Sequence, residues 1–134
     1  MAETTVVPPS VKRLGLTANV AALLILLQLV LGVMIAFGTG GAFIREAHAG
    51  VAYLTVLAGI VATVFAWSAA KVAGSKGVFF HALSLPVLAI IQIGLGEMHL
   101  TIVHIILGIL TVVAFVGLVP MANKIAERAT APVA

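Results

Sequence analysis

Few side chains in this 134-residue chain can do chemistry, and two of them stand out by position. His48 and His104 each lie inside an apolar run, and each follows a copy of one short pattern. The first copy is Gln28-Leu-Val-Leu-Gly32-Val-Met34 and the second is Gln92-Ile-Gly-Leu-Gly96-Glu-Met98, 64 residues apart. A neutral imidazole can ligate a metal through one ring nitrogen while the other makes a hydrogen bond that fixes the tautomer. A glutamine amide is suited to support such a ligand from behind. Internal repetition of this kind reports on architecture before any single residue does.

Composition says what must position these groups. The chain is 63% hydrophobic and 8% charged, against about a quarter charged in soluble domains, so it belongs in a membrane. Its length leaves no room for an additional soluble domain of ordinary size. Cysteine is absent, which excludes disulfides, thiolate-bound zinc, iron–sulfur clusters and thioether-attached haem. The net charge of +3 does not point to nucleic acid, because the basic residues sit at the ends of apolar segments, where they orient spans.

Residues 1–10 read as a loose, proline-containing leader, and the bundle occupies 11–120. A span needs roughly 20 apolar residues, and four segments supply them at about 14–37, 43–70, 78–96 and 100–120. The first is longer than a signal-peptide core and no convincing cleavage site follows it, so it reads as a retained helix. Gly38–Gly41 and Gly74–Gly77 are turns. Pro86 falls inside the third helix, which is tolerable where a neighbour satisfies the freed carbonyl. Pro120 marks the end of the fourth, and 121–134 form a frayed amphipathic tail. The expected fold is therefore all-α, an integral membrane four-helix bundle made of two repeated helix pairs.

Lys12, Arg13, Lys71, Lys76, Lys124 and Arg128 fall on one side of these spans, and only Arg45 on the other. The positive-inside rule places both termini in the cytoplasm, and the expected location is the plasma membrane of a prokaryote. Depth then separates the histidines. His48 stands 23 residues before Lys71 and His104 stands 20 before Lys124, which is about 34 and 30 Å from the inner boundary. His81 is only five residues past Lys76, about 8 Å from that boundary, too far to share a metal with the other two. Below His48 on one helical face lie Ala52, Thr55 and Gly59, and below His104 lie Gly108 and Thr111. These small residues either admit a flat ligand or let helices pack closely.

Two neutral imidazoles at one depth in a bundle core suit bis-histidine haem ligation. The bland alternative is an interhelical hydrogen bond from each. Ionisable groups within spans are costly and usually functional, and a matched pair within a repeat favours the ligand reading. His99, in the outer turn, is either solvated or bonded to a haem propionate. Arg45 is the only outer basic residue, either a propionate partner or a boundary arginine beside Glu46. Met34 and Met98 are packing residues before they are thioether ligands. Gln28 and Gln92 are placed to bond the histidines' free ring nitrogens or each other.

With those residues in hand, the chain resembles one half of the haem A synthase family. The segments LQLVLG (27–32), EAHAG (46–50), IQIGLG (91–96) and HIILG (104–108) look like that family's Gln-x-x-Leu-Gly and histidine segments, and the resemblance spans nearly all of 14–120. It implies a haem held by His48 and His104. The family has eight spanning helices in two such halves, and only one is present here. Its compact archaeal members imply that a half-length chain can work as an oligomer. In the family's catalytic half a glutamate stands three residues before the first histidine; here that position is Arg45, with Glu46 next to it. The outer cysteine pair of some members is missing.

Three functions follow as expectations. The first is a b-type cytochrome holding haem b near the outer face for respiratory electron transfer, alone or as a small subunit of a respiratory complex. The second is a haem A synthase-like oxygenase acting on haem as a homodimer, with Glu46 as the catalytic candidate; otherwise no catalytic residue is assigned. The third is a cofactor-free structural membrane subunit. The implied partners are lipid, haem and other respiratory subunits or a second copy, with no nucleic acid.

Overall fold

A computed structural model of the chain describes residues 6–131. Half of the expected leader, residues 1–5, lies outside that range, as do 132–134 of the tail. Four helices make up the fold: α1 (Pro9–Ala36), α2 (Gly41–Ala73), α3 (Gly77–Glu97) and α4 (Thr101–Thr130). All four are long and apolar enough to cross a membrane. Neighbours in sequence pack side by side, α4 closes against α1, and α2 touches α4 across the bundle.

The turns are set by residues that accept a positive φ. Gly38, Gly40 and Gly41 bend the chain between α1 and α2, and a Cβ on Gly40 would run into the Ile44 side chain. Gly74 (φ 62°) ends α2 and accepts the left-handed conformation at no steric cost. At the end of α3 that position falls to His99 (φ 57°). There the Leu100 amide donates to the Leu95 carbonyl (3.0 Å), the six-to-one bond that closes a helix end.

The bundle is tight in the half that carries the termini. Leu14, Ala18, Ala21, Ala62, Ala66, Ala69, Ala82, Leu85, Phe115 and Leu118 are all fully buried there. Alanine on every helix brings the backbones close, which is what holds helices together where lipid is as apolar as the core. Gly59 takes this furthest, since a Cβ there would stand 3.1 Å from both the nitrogen and Cδ of Pro86. Pro86 has no N–H to give to the Ala82 carbonyl one turn back. The Thr63 hydroxyl on α2 lies 2.9 Å from that carbonyl oxygen and 2.8 Å from the Gly59 carbonyl, so its single proton serves both.

Two boundaries differ from the expectation. Pro9 and Ser10 belong to α1 rather than to a leader, because proline is at ease in a first helical turn. Helix α4 runs ten residues past Pro120 instead of ending there. Proline removes one hydrogen bond, and burial of Ala122 and Ile125 against the terminal core keeps the helix going.

Candidate haem-binding site

In the other half of the bundle the helices part around a cavity of about 320 Å3. That volume is at the lower end of the range of ligand pockets, ~300–1,000 Å3. Gln28 and Gly32 of α1, His48 of α2, and His104 and Gly108 of α4 line it, and Gln92 of α3 reaches it from behind. Thr55 and Thr111, both buried, close its deep end, each with its hydroxyl donated to its own helix (2.8 Å to Val51 and Leu107 carbonyls). Leu29, Val33, Ile105 and Ile109 also line it and remain exposed, so the rim between α1 and α4 is apolar and faces outward.

The two histidine rings meet here, with centroids 6.2 Å apart and planes at 62°. The equal depths expected from the sequence bring them together. Each ring is laid against the glycine of the preceding motif. A Cβ on Gly32 would stand 3.3 Å from His48 Cε1, and one on Gly96 would stand 3.6 Å from His104 Cε1.

Their hydrogen bonding differs. His104 Nδ1 donates to the main-chain oxygen of Gln92 (3.0 Å). A carbonyl can only accept, so Nδ1 carries the proton and Nε2 keeps a bare lone pair. With the Gln92 amide turned to satisfy its neighbours, its nitrogen lies 3.0 Å from both the His104 carbonyl, to which it donates, and His104 Nδ1, and its oxygen accepts from the Gly108 amide (3.0 Å). The amide thus slots into the hydrogen-bond ladder of α4, in ordinary contact with the space a Cβ on Gly108 would take (3.5 Å). His48 Nδ1 and Gln28 Oε1, by contrast, are buried atoms with no hydrogen-bond partner.

The remaining expected site residues lie elsewhere. Arg45, Glu46 and His99 are exposed and do not line the cavity. Position explains this: Arg45 and Glu46 fall in the first turns of α2, and His99 is used to end α3, its Nδ1 donating to the Gly96 carbonyl (3.3 Å). His81 is in the tight half, with Nε2 donating to the Ala114 carbonyl (2.8 Å). Among the described residues, no three His, Cys, Asp or Glu side chains cluster to hold a metal ion.

Sequence reasoning did not single out Ile25, Ala89 and Val112, which wall the cavity. An apolar residue facing a cavity and one facing lipid look alike in a chain this hydrophobic, so no signal distinguishes them.

What the arrangement can do follows from the two nitrogen pairs. A metal–imidazole bond is about 2 Å long, and each ring centre lies roughly another 1 Å behind its nitrogen, so two rings on opposite sides of one metal stand about 6 Å apart. The rings of His48 and His104 already have that separation. No family model matches the chain, and no curated protein or solved structure matches it either.

Proposed function

We propose that this chain is a membrane b-type cytochrome that holds one haem b between His48 and His104 and passes electrons in a respiratory chain. The observation that carries this reading is the 6.2 Å ring separation inside a lined cavity. It is joined by the tautomer of His104, whose Nε2 is left free to ligate. An interhelical hydrogen bond between the histidines and main chain alone would leave no reason for the cavity or for the two buried, unpartnered atoms beside it.

Haem b supplies one-electron redox chemistry when bound. The chain's own residues do the rest. His48 and His104 bind it, Gln92 and Gly108 orient His104, and Gly32 and Gly96 give the rings room against α1 and α3. Leu29, Val33, Ile105 and Ile109 keep the rim apolar, which excludes water from the site. The rim faces the lipid, so a flat macrocycle need not lie wholly within 320 Å3.

The chain crosses the plasma membrane of a prokaryote four times, with both termini in the cytoplasm and the site near the outer face. Six of its seven basic residues at the terminal end of the bundle support that orientation. The two motif copies are a duplication of one helix pair, α1–α2 and α3–α4. The support is that each motif glycine packs on the histidine of the helix that follows it. The oxygenase reading draws less support, since no carboxylate lines the cavity and Glu46 is exposed.

Reconstitution tests the reading. The detergent-purified chain mixed with haem b is expected to give the Soret and sharp visible bands of a low-spin, six-coordinate haem. Absence of a Soret band above that of free haem in the same detergent would sink it.

A further inference from the structure

If the two histidines are haem ligands, they are not equal ones. We infer that His104 is the permanent ligand and His48 the exchangeable one, so that the His48 side of the cavity is a coordination site for a small neutral ligand such as carbon monoxide or imidazole. This rests on the haem reading above and adds a binding activity to it.

The asymmetry lies behind the rings. His104 is held through Nδ1 by a 3.0 Å bond to the Gln92 carbonyl. The Gln92 amide ties the same stretch of α4 at His104 and Gly108. A ring pinned in this way meets a metal with its tautomer, orientation and basicity already set, and losing such support typically costs 10–100-fold in metal affinity. His48 is held less firmly: the Gln28 main chain approaches it, but not with the geometry of a full hydrogen bond. Its Nδ1 is buried without a partner, and so is the oxygen of Gln28, the glutamine that precedes it.

The two helices also differ four residues past each histidine. Four residues past His104, α4 has Gly108, and the amide of Gln92 enters the ladder there. Four residues past His48, α2 has Ala52, which carries a methyl group at the corresponding position. Packing against Gly32, where a Cβ would stand 3.3 Å from Cε1, positions the His48 ring, and packing fixes neither a tautomer nor a charge distribution. Ala52 and Thr55 line the cavity beside it, so an incoming ligand finds small neighbours on that side.

The exchange itself is a simple substitution. With haem b bound, His48 Nε2 would give up its coordination position and the external ligand would donate its own lone pair there. No electron and no proton changes hands, and the ring returns when the ligand leaves.

The test uses the full chain reconstituted with haem b. In the dithionite-reduced wild type, carbon monoxide is expected to shift the Soret band to that of a carbonyl complex. His48→Ala is expected to keep its haem as a high-spin, five-coordinate species, and added imidazole to restore the low-spin spectrum. His104→Ala is expected to retain haem at least tenfold more weakly, with imidazole failing to restore it. Gln92→Leu, which leaves both histidines in place and guards against an unfolded His104 variant, is expected to weaken haem retention several-fold more than Gln28→Leu. A low-spin wild type that ignores carbon monoxide would overturn the inference and leave the haem reading standing. So would equal behaviour in the two histidine variants or in the two glutamine variants. A wild type with no Soret band would overturn both.

Discussion

The His48 ring on α2 and the His104 ring on α4 meet edge to face, 6.2 Å between centroids, across the one diagonal of the bundle whose helices touch. Everything else about the site is arranged around that pair. Behind one ring stands a formed hydrogen bond to Gln92, and behind the other an unpartnered nitrogen.

The glycines beneath the rings set how far each ring can advance. Gly32→Ala places a methyl 3.3 Å from His48 Cε1, a tighter approach than the 3.6 Å of Gly96→Ala from His104. Gly32→Ala is therefore expected to move part of the haem from a low-spin to a high-spin spectrum, with Gly96→Ala close to wild type. Gly15→Ala, which meets nothing within 4 Å, is the control. Visible spectra of the three reconstituted variants check the order.

Thr63 tests how α3 tolerates its proline. Thr63→Val removes the only hydroxyl, among the described residues, that bonds the Ala82 carbonyl that Pro86 leaves free. A hydrogen bond between membrane helices is worth about 0.6 kcal/mol on average and up to ~1.7, and a loss within that range is expected in detergent-unfolding titrations. The haem spectrum of the folded fraction should not change, because Thr63 lies outside the cavity lining.

Phe115 is the largest fully buried side chain among the described residues. Truncating a buried phenylalanine to alanine costs about 3–5 kcal/mol, so Phe115→Ala should be among the most destabilising substitutions by the same titration. A loss below about 1 kcal/mol would mean that the tight half is not what holds the bundle together.

Orientation is open to a direct measurement. Alkaline phosphatase, active only outside the cytoplasm, is expected to be active when fused after Thr39, in the α1–α2 turn. Fused after Ser75, in the α2–α3 turn, it should be inactive. The reverse pattern would invert the assigned topology and move the haem site to the cytoplasmic side.

His81 gives the negative control for ligation. Its Nε2 is already committed to the Ala114 carbonyl on α4. His81→Ala should leave the haem spectrum unchanged while costing about 0.6–1.7 kcal/mol for the lost interhelical bond. A lost or altered Soret band in this variant would reopen the choice of ligands.

Much of this molecule is legible from its residues in order. Hydrophobic length alone marks four spans, because a bilayer demands about 20 apolar residues for each and the sequence interrupts them with glycine-rich or polar turns. Counting residues from the basic boundary puts His48 and His104 at one level and His81 at another, since a helix converts number into distance at a fixed rise. The end of α4 was not legible at Pro120, because local propensity says nothing of the burial of Ala122 and Ile125 that carries the helix onward.

The sequence by itself determined which side chains are available and how deep each one sits, because both depend on order along a helix. Only the tertiary structure decided which carbonyls His81 and His104 face, that the Gln92 amide enters α4 at Gly108, and that Arg45, Glu46 and His99 stand outside the cavity. Those facts depend on how each helix is rotated and how closely it approaches its neighbour. The packing of alanines, Gly59 and Pro86 in the opposite half of the bundle sets both.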